Sequence, residues 1–150
     1  MSSAPPVVLT FAASDPTGGA GLQADVLTLA ALGCHPLSVL TAFTVQDTRG
    51  VSRLRALDAA SVGEQARCVL ADIVVDAFKL GVLGSAENVR AIAEVVSEHP
   101  QVPLVLDPVL ASGRGDELAD AAAIEALVEA IVPRATVVTP NSIEARRLGG

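Results

Sequence analysis

Short runs of strand-forming residues alternate with helical patterns from one end of the chain to the other. Val7–Ala13, Leu37–Val45, Val51–Leu57, Ala77–Leu80, Leu104–Leu106 and Thr136–Val138 read as strands. Leu22–Leu32, Val62–Ile73, Ala86–Glu98 and Ala121–Ile131 read as helices. In the last of these, Ile124, Leu127, Val128 and Ile131 fall at i, i+3, i+4 and i+7 and make one apolar stripe. Ser61 with Glu64 reads as a capping box for the second helix. Most strand runs are continuously apolar, the pattern of strands covered by helices on both faces. Strand–helix alternation predicts right-handed crossovers and a mostly parallel sheet in an α/β fold. Val51–Leu57 follows Val45 after too short a turn for a parallel crossover, so it is predicted as a hairpin arm or part of a small flap.

Composition narrows this picture. The 150 residues suffice for one domain with a sizeable core, and 51% of them are hydrophobic. With three Phe and no Trp or Tyr, that core must be aliphatic. A net charge of −7 argues against nucleic-acid and anionic-membrane partners. No apolar run approaches the ~20 residues of a membrane span. The opening Met1-Ser-Ser-Ala-Pro-Pro lacks a basic region, so no secretory leader is expected and a cytoplasmic location is. Cys34 and Cys68 have no metal or redox spacing and read as buried free thiols.

The most informative segment is Ser14 to Asp25. An apolar strand enters it, a helical pattern leaves it, and Gly18, Gly19 and Gly21 mark the junction. Glycine permits positive φ and close approach of backbone to a ligand. A helix N-terminus there would offer free N–H groups to a polar or anionic ligand; a plain turn fits the same residues. The spacing is not Gly-x-Gly-x-x-Gly, which counts against a dinucleotide-binding domain.

Asp15-Pro-Thr-Gly-Gly-Ala-Gly-Leu-Gln-Ala-Asp25 resembles the N-terminal signature of the hydroxymethylpyrimidine and phosphomethylpyrimidine kinases of thiamine synthesis, in the ribokinase-like superfamily. The likeness continues through Thr41-Ala-Phe-Thr-Val-Gln46-Asp-Thr-Arg-Gly50, Lys79-Leu-Gly-Val-Leu83, Val105-Leu-Asp-Pro-Val-Leu110 and Thr139-Pro-Asn-Ser-Ile-Glu144, and covers about Val7 to Leu148. It implies a three-layer α/β/α fold with a mostly parallel central sheet. It also implies ATP-dependent phosphorylation of 4-amino-5-hydroxymethyl-2-methylpyrimidine and its monophosphate, with Mg²⁺, by a homodimer.

Carried onto this sequence, the resemblance places Ala13, Asp25, Thr44, Gln46, Val82 and Val109 around the pyrimidine. Asp25 would face the ring; by itself it reads equally as an acid near a helix start. The Gln46 amide has donors and an acceptor suited to an aminopyrimidine edge, or to capping the turn at Asp47-Thr48. Thr44 lies on the same strand face and is expected to offer its backbone. Ala13 stands where the family usually has Gly, and Val82 where it often has Met, so the pocket wall differs. Val82 also suits plain core packing.

Asp107, Asn141 and Glu144 fall on the residues that hold Mg²⁺ and ATP in the family, with Asp107 and Glu144 at the metal. Asp107-Pro108 alone is an ordinary strand-end turn, and Asn-x-x-Glu alone is an N-cap with a reciprocal Glu; for Asn141 and Glu144 the two roles are compatible. Ala111-Ser-Gly-Arg-Gly115 departs from the family's Lys-containing loop; Arg114 would supply the charge, and the glycines suggest a loop that closes over substrate. Lys79 reads as snorkelling or paired, and His35 and His99 as helix-end or loop residues. No residue here matches the family's hydroxyl-activating group. The chain is therefore expected to be the N-terminal part of a kinase, inactive alone. Two other readings are a pyridoxal kinase of the same superfamily and a non-catalytic binding or assembly module.

Overall fold

Parallel strands need a connection that returns the chain to the same end of the sheet, and the sequence supplies helices between them. In the computed structural model, which describes residues 4–149, the elements run β1 (Val7–Ala13), α1 (Gly21–Ala31), β2 (His35–Asp47), β3 (Gly50–Ala56), α2 (Ala59–Asp72), β4 (Ala77–Leu80), α3 (Ala86–Ser97), β5 (Leu104–Leu106), α4 (Ala121–Ala126), β6 (Val137–Val138) and α5 (Ser142–Gly149). Among the described residues the strands form one sheet in the order β3-β2-β1-β4-β5-β6. All pairings are parallel except β2 with β3, which form the predicted hairpin. Met1 to Ser3 of the leader reading, and Gly150, lie outside the described residues.

The two faces of the sheet are unequal. Leu9, Phe11, Val39, Phe78, Leu80 and Leu106 pack on Val62 and Ala66 of α2, Val89 and Ile92 of α3 and Ala126 of α4. Phe11 and Phe78 meet edge to face with centroids 6.2 Å apart. Thr10 and Lys79 point the other way, toward α1, where both reach Asp25. That gives three layers. However, α1 rests mainly on β1 and β2 and has no fully buried residue among its own. Burial accordingly alternates along β4 and β5, and Val137 of β6 is 47% exposed. Helices thus do not cover both faces throughout.

Several local expectations need correction. Asp58, not Ser61, caps α2: its carboxylate accepts from the Ser61 N–H at 2.9 Å and the Ser61 hydroxyl at 2.8 Å. Asp58→Ala is therefore expected to lower the melting temperature more than Glu64→Ala. Hydrogen bonds from the Ser61 backbone and hydroxyl hold the Asp58 carboxyl below its ordinary value. Its contribution should be complete at neutral pH and lost as pH falls through that lowered value, so the gap between the two variants closes in acid. The helix from Ala121 is α-helical only to Ala126; it widens to a π turn over Leu127–Ile131 and tightens to a 3-10 turn over Val132–Arg134. Pro133, which cannot donate a backbone hydrogen bond, lies within that last turn. Val128 of the expected stripe is left 36% exposed, whereas Leu127 and Ile131 are buried. His35 opens β2 instead of ending a helix. Cys68 is exposed on α2 and Cys34 half-buried, so neither is a core thiol.

Candidate functional site

Sheet order sets where a cleft opens. The chain leaves β1 toward β2 on one side, and β4 lies on the other, so neighbouring connections diverge at the C-terminal ends of β1 and β4. A cleft of about 340 Å³ lies there. Ala13, Asp25, Thr44, Gln46, Val82, Asp107 and Val109 all line it. The two polar side chains expected at the ring, Asp25 and Gln46, thus share one cavity. Gln46 comes from the hairpin arm, Val82 follows β4, and Ala111, Ser112 and Gly113 close the outer edge.

The glycine turn is held from within. Asp15 is buried, and its Oδ1 accepts from the Thr17 N–H and hydroxyl, both at 2.8 Å. Its Oδ2 accepts from the Ala20 N–H at 2.9 Å, while the Asp15 N–H donates to Gln23 Oε1 at 2.8 Å. Asp15 therefore takes donors that an anionic ligand was expected to meet. Its signal in the sequence is an acid ahead of a Gly-rich helix start. Gly21 has φ +61°, and a Cβ there would collide with the Ala13 carbonyl oxygen. This is the one glycine of the turn on which backbone lies directly.

Asp25 stands on the second turn of α1, away from the helix start. Its Oδ2 accepts from the Thr10 hydroxyl at 2.7 Å, and Lys79 Nζ lies 2.9 Å from each carboxylate oxygen. Lys79 is thus paired. Gln46 does not cap the hairpin turn; Asp47 does, accepting from the N–H groups of Arg49 and Gly50 at 2.8 and 3.2 Å. Gln46 Oε1 instead accepts from the Thr44 hydroxyl at 2.7 Å. The Ser14 carbonyl, 2.8 Å away, shares that hydroxyl's one proton with Gln46, and the Thr44 N–H donates to Ser14 Oγ at 3.3 Å. The Thr44 backbone donor is consequently engaged, and its hydroxyl orients the Gln46 amide.

Asp107 adds a carboxylate to the cleft lining, and Glu144 lies close enough for its charge to act on it. Asp107 follows β5 and is half-buried; burial pushes its carboxyl above its ordinary value, Lys79 opposes this, and Glu144 and Asp25 reinforce it. Glu144 is buried on α5, with Oε2 accepting from the Asn141 N–H at 2.9 Å and Oε1 from the Leu110 N–H at 3.4 Å. Asn141 Oδ1 returns the cap, accepting from the N–H groups of Ile143 and Glu144 at 2.9 and 3.0 Å. The capping reading is therefore realised, and it holds in place the Glu144 charge that acts on Asp107. Neither Asn141 nor Glu144 lines the cleft itself. The Arg114 loop is latched through Asp116, whose Oδ2 accepts from the Ser112 hydroxyl at 2.8 Å and the Val51 N–H at 3.3 Å.

Asp107→Asn should stabilise the fold at neutral pH. A carboxyl raised by burial is protonated more readily folded than unfolded, so its cost appears as pH rises through that window and is complete above it. The gain in melting temperature should vanish below the ordinary carboxylate range. A gain that persists there would contradict burial as its cause.

Comparison with known proteins fits this geometry. The family model described as phosphomethylpyrimidine kinase matches residues 15–150. A hydroxymethylpyrimidine/phosphomethylpyrimidine kinase of Streptomyces coelicolor is 47% identical over 146 residues, 97% of this chain and 54% of the relative. The crystal structure of a phosphomethylpyrimidine kinase from Clostridium difficile 630 superposes with a TM-score of 0.89 at 38% identity, over 95% of this chain and 62% of the other. A pyridoxal kinase from Staphylococcus aureus in complex with pyridoxal gives 0.86 at 34%, over 97% and 54%. The chain spans about half the length of the curated kinases it matches and less of the larger bifunctional and multifunctional relatives. Among the described residues no helix is long and apolar enough to cross a membrane.

Proposed function

The chain belongs to the phosphomethylpyrimidine kinase family, with the ribokinase-like fold of its structural neighbours, and from that premise we propose that it binds 4-amino-5-hydroxymethyl-2-methylpyrimidine for ATP-dependent phosphorylation. The product monophosphate is the second acceptor. The observation that supports this reading is that Asp25, Gln46, Val82 and Val109 all line one cleft. Gln46, its Oε1 tied to Thr44, has two N–H donors for the acceptor edge of the ring. Asp25 accepts from the exocyclic amine or the hydroxymethyl group. Val82 and Val109 sandwich the ring, and Ala13 sets the rim.

Asp107, Asn141 and Glu144 form the phosphate end. An oxygen donor set suits Mg²⁺, and two neighbouring carboxylates, one of them raised by burial and by its neighbour's charge, fit a cation that relieves both. Among the described residues no group of three or more His, Cys, Asp or Glu could hold a metal ion alone; Mg²⁺ with ATP needs only one or two carboxylates. When bound, the ion would neutralise phosphate charge. Asp107 and Glu144 would hold it, directly or through water, while the Asn141 cap keeps Glu144 in place. The residues named here bind, orient and neutralise; none of them is proposed as the group that activates the hydroxyl. A homodimer is part of the same proposal, supported by Phe43 and Val45, 41% and 50% exposed on β2; sedimentation of the chain tests it.

The pyridoxal kinase neighbour favours one rival, a pyridine alcohol in the same cleft. Calorimetric titration with both compounds separates them. The pyrimidine should bind more tightly, and Gln46→Leu should weaken it about 10- to 100-fold by removing the only side chain expected to read the ring edge. Equal loss for pyridoxal, or none for the pyrimidine, would refute Gln46 as the reader.

A further inference from the structure

Lys79 is the one cationic side chain among the described residues that line the cleft. Its ammonium lies 2.9 Å from both Asp25 oxygens, and the Thr10 hydroxyl adds a 2.7 Å bond to Oδ2. The Lys79 and Asp25 side chains are 24% and 16% exposed, so the pair is largely withdrawn from water. The ammonium passes close over Gly81, where a Cβ would stand 3.1 Å from Nζ.

Three features act together. An aspartate free to rotate shows a ligand a variable set of lone pairs; one gripped by an ammonium and a hydroxyl shows a fixed set. A lone buried carboxylate is costly and tends to neutralise or turn away, whereas a hydrogen-bonded pair stays in place. Asp107 lies on the adjacent strand end, and the Lys79 charge acts on it in the direction that offsets Asp25 and Glu144. Without Lys79 the floor would hold like charges only.

We propose that Lys79 is a positioning residue for recognition of the pyrimidine alcohol: it fixes the Asp25 carboxylate, and acts on the ligand through it. This rests on the pyrimidine reading above. The grip also offsets part of the negative charge that Asp25 and Asp107 bring to the floor.

A double-mutant cycle tests it. 4-Amino-5-hydroxymethyl-2-methylpyrimidine is titrated by calorimetry into the parent chain, Lys79→Met, Asp25→Asn and the double variant, each with its melting temperature. Each single change should weaken binding about tenfold, and the double should bind no worse than Asp25→Asn alone. Parent-like binding by folded Lys79→Met, or losses that multiply in the double variant, would overturn the inference. Lys79→Gln, which keeps a donor without the charge, replaces the methionine variant if that fails to fold. A crystal structure of the Lys79 variant reads the same point without ligand. The Asp25 carboxylate should leave its parent position, and an unmoved carboxylate overturns the inference whatever the cleft takes. Absence of pyrimidine binding by the parent chain sinks the functional reading instead.

Discussion

Gly21→Ala is expected to cost about 3–4 kcal/mol of stability, a drop of roughly 10 °C in melting temperature for a chain this long. The residue sits at φ +61°, where an L side chain is strained, and its Cβ would meet the Ala13 carbonyl oxygen with the Asp15 nitrogen 3.2 Å away. Both obstacles are backbone, so relief means displacing the end of β1 and the rim of the cleft. Gly18→Ala is the control: φ is +75° but nothing stands within 4 Å, so only the strain of about 1–2 kcal/mol applies. Thermal unfolding of the two variants decides the matter. Equal losses would mean that conformational strain alone explains this turn.

Glu144 is expected to separate a structural role from a binding one. Alanine removes an acceptor from the Asn141 N–H and leaves the buried Leu110 N–H without a partner, costing about 3 kcal/mol. Glutamine keeps one acceptor oxygen and loses the charge. Its NH2 must then face one of the two N–H donors, the 3.4 Å Leu110 contact being the weaker, so Glu144→Gln should lose less stability than alanine while weakening Mg²⁺–ATP binding about tenfold or more. Unchanged nucleotide affinity in the glutamine variant would confine Glu144 to capping α5.

These residues also show what a linear reading can and cannot reach. Apolar strand runs and the short Thr48-Arg49-Gly50 turn revealed the sheet and its hairpin, because each is a local pattern. The cap of α2 was misplaced by three residues, since Asp58 and Ser61 are both good caps and only backbone geometry chooses between them. The π turn after Ala126 left no local signature, because its apolar spacing also fits an α-helix. Cys68 was misjudged from its neighbours, but helix rotation, not flanking hydropathy, decides which side faces water. Uneven coverage of the sheet was likewise hidden, since apolar strands do not report how many helices pack on them.

At the cleft the pattern is similar. Every residue expected around the ring lines one cavity, because motifs at strand ends are gathered by a parallel sheet. What joins them was invisible. Thr10, Asp25 and Lys79 are separated by 15 and 54 positions, and no spacing rule links such distances. Asp15 could be seen in the motif, but its occupation of the turn's N–H groups requires the folded loop.

The central claim is that this one cleft reads a small aminopyrimidine alcohol, and a crystal structure of the chain grown with 4-amino-5-hydroxymethyl-2-methylpyrimidine tests it most directly. The ring should lie between Val82 and Val109, with its nitrogen edge within hydrogen-bond distance of the Gln46 amide and a polar substituent on Asp25. A compound bound instead beside His99 and Arg134 at the far end of the sheet, or a Gln46 amide turned from the ring, would contradict the account.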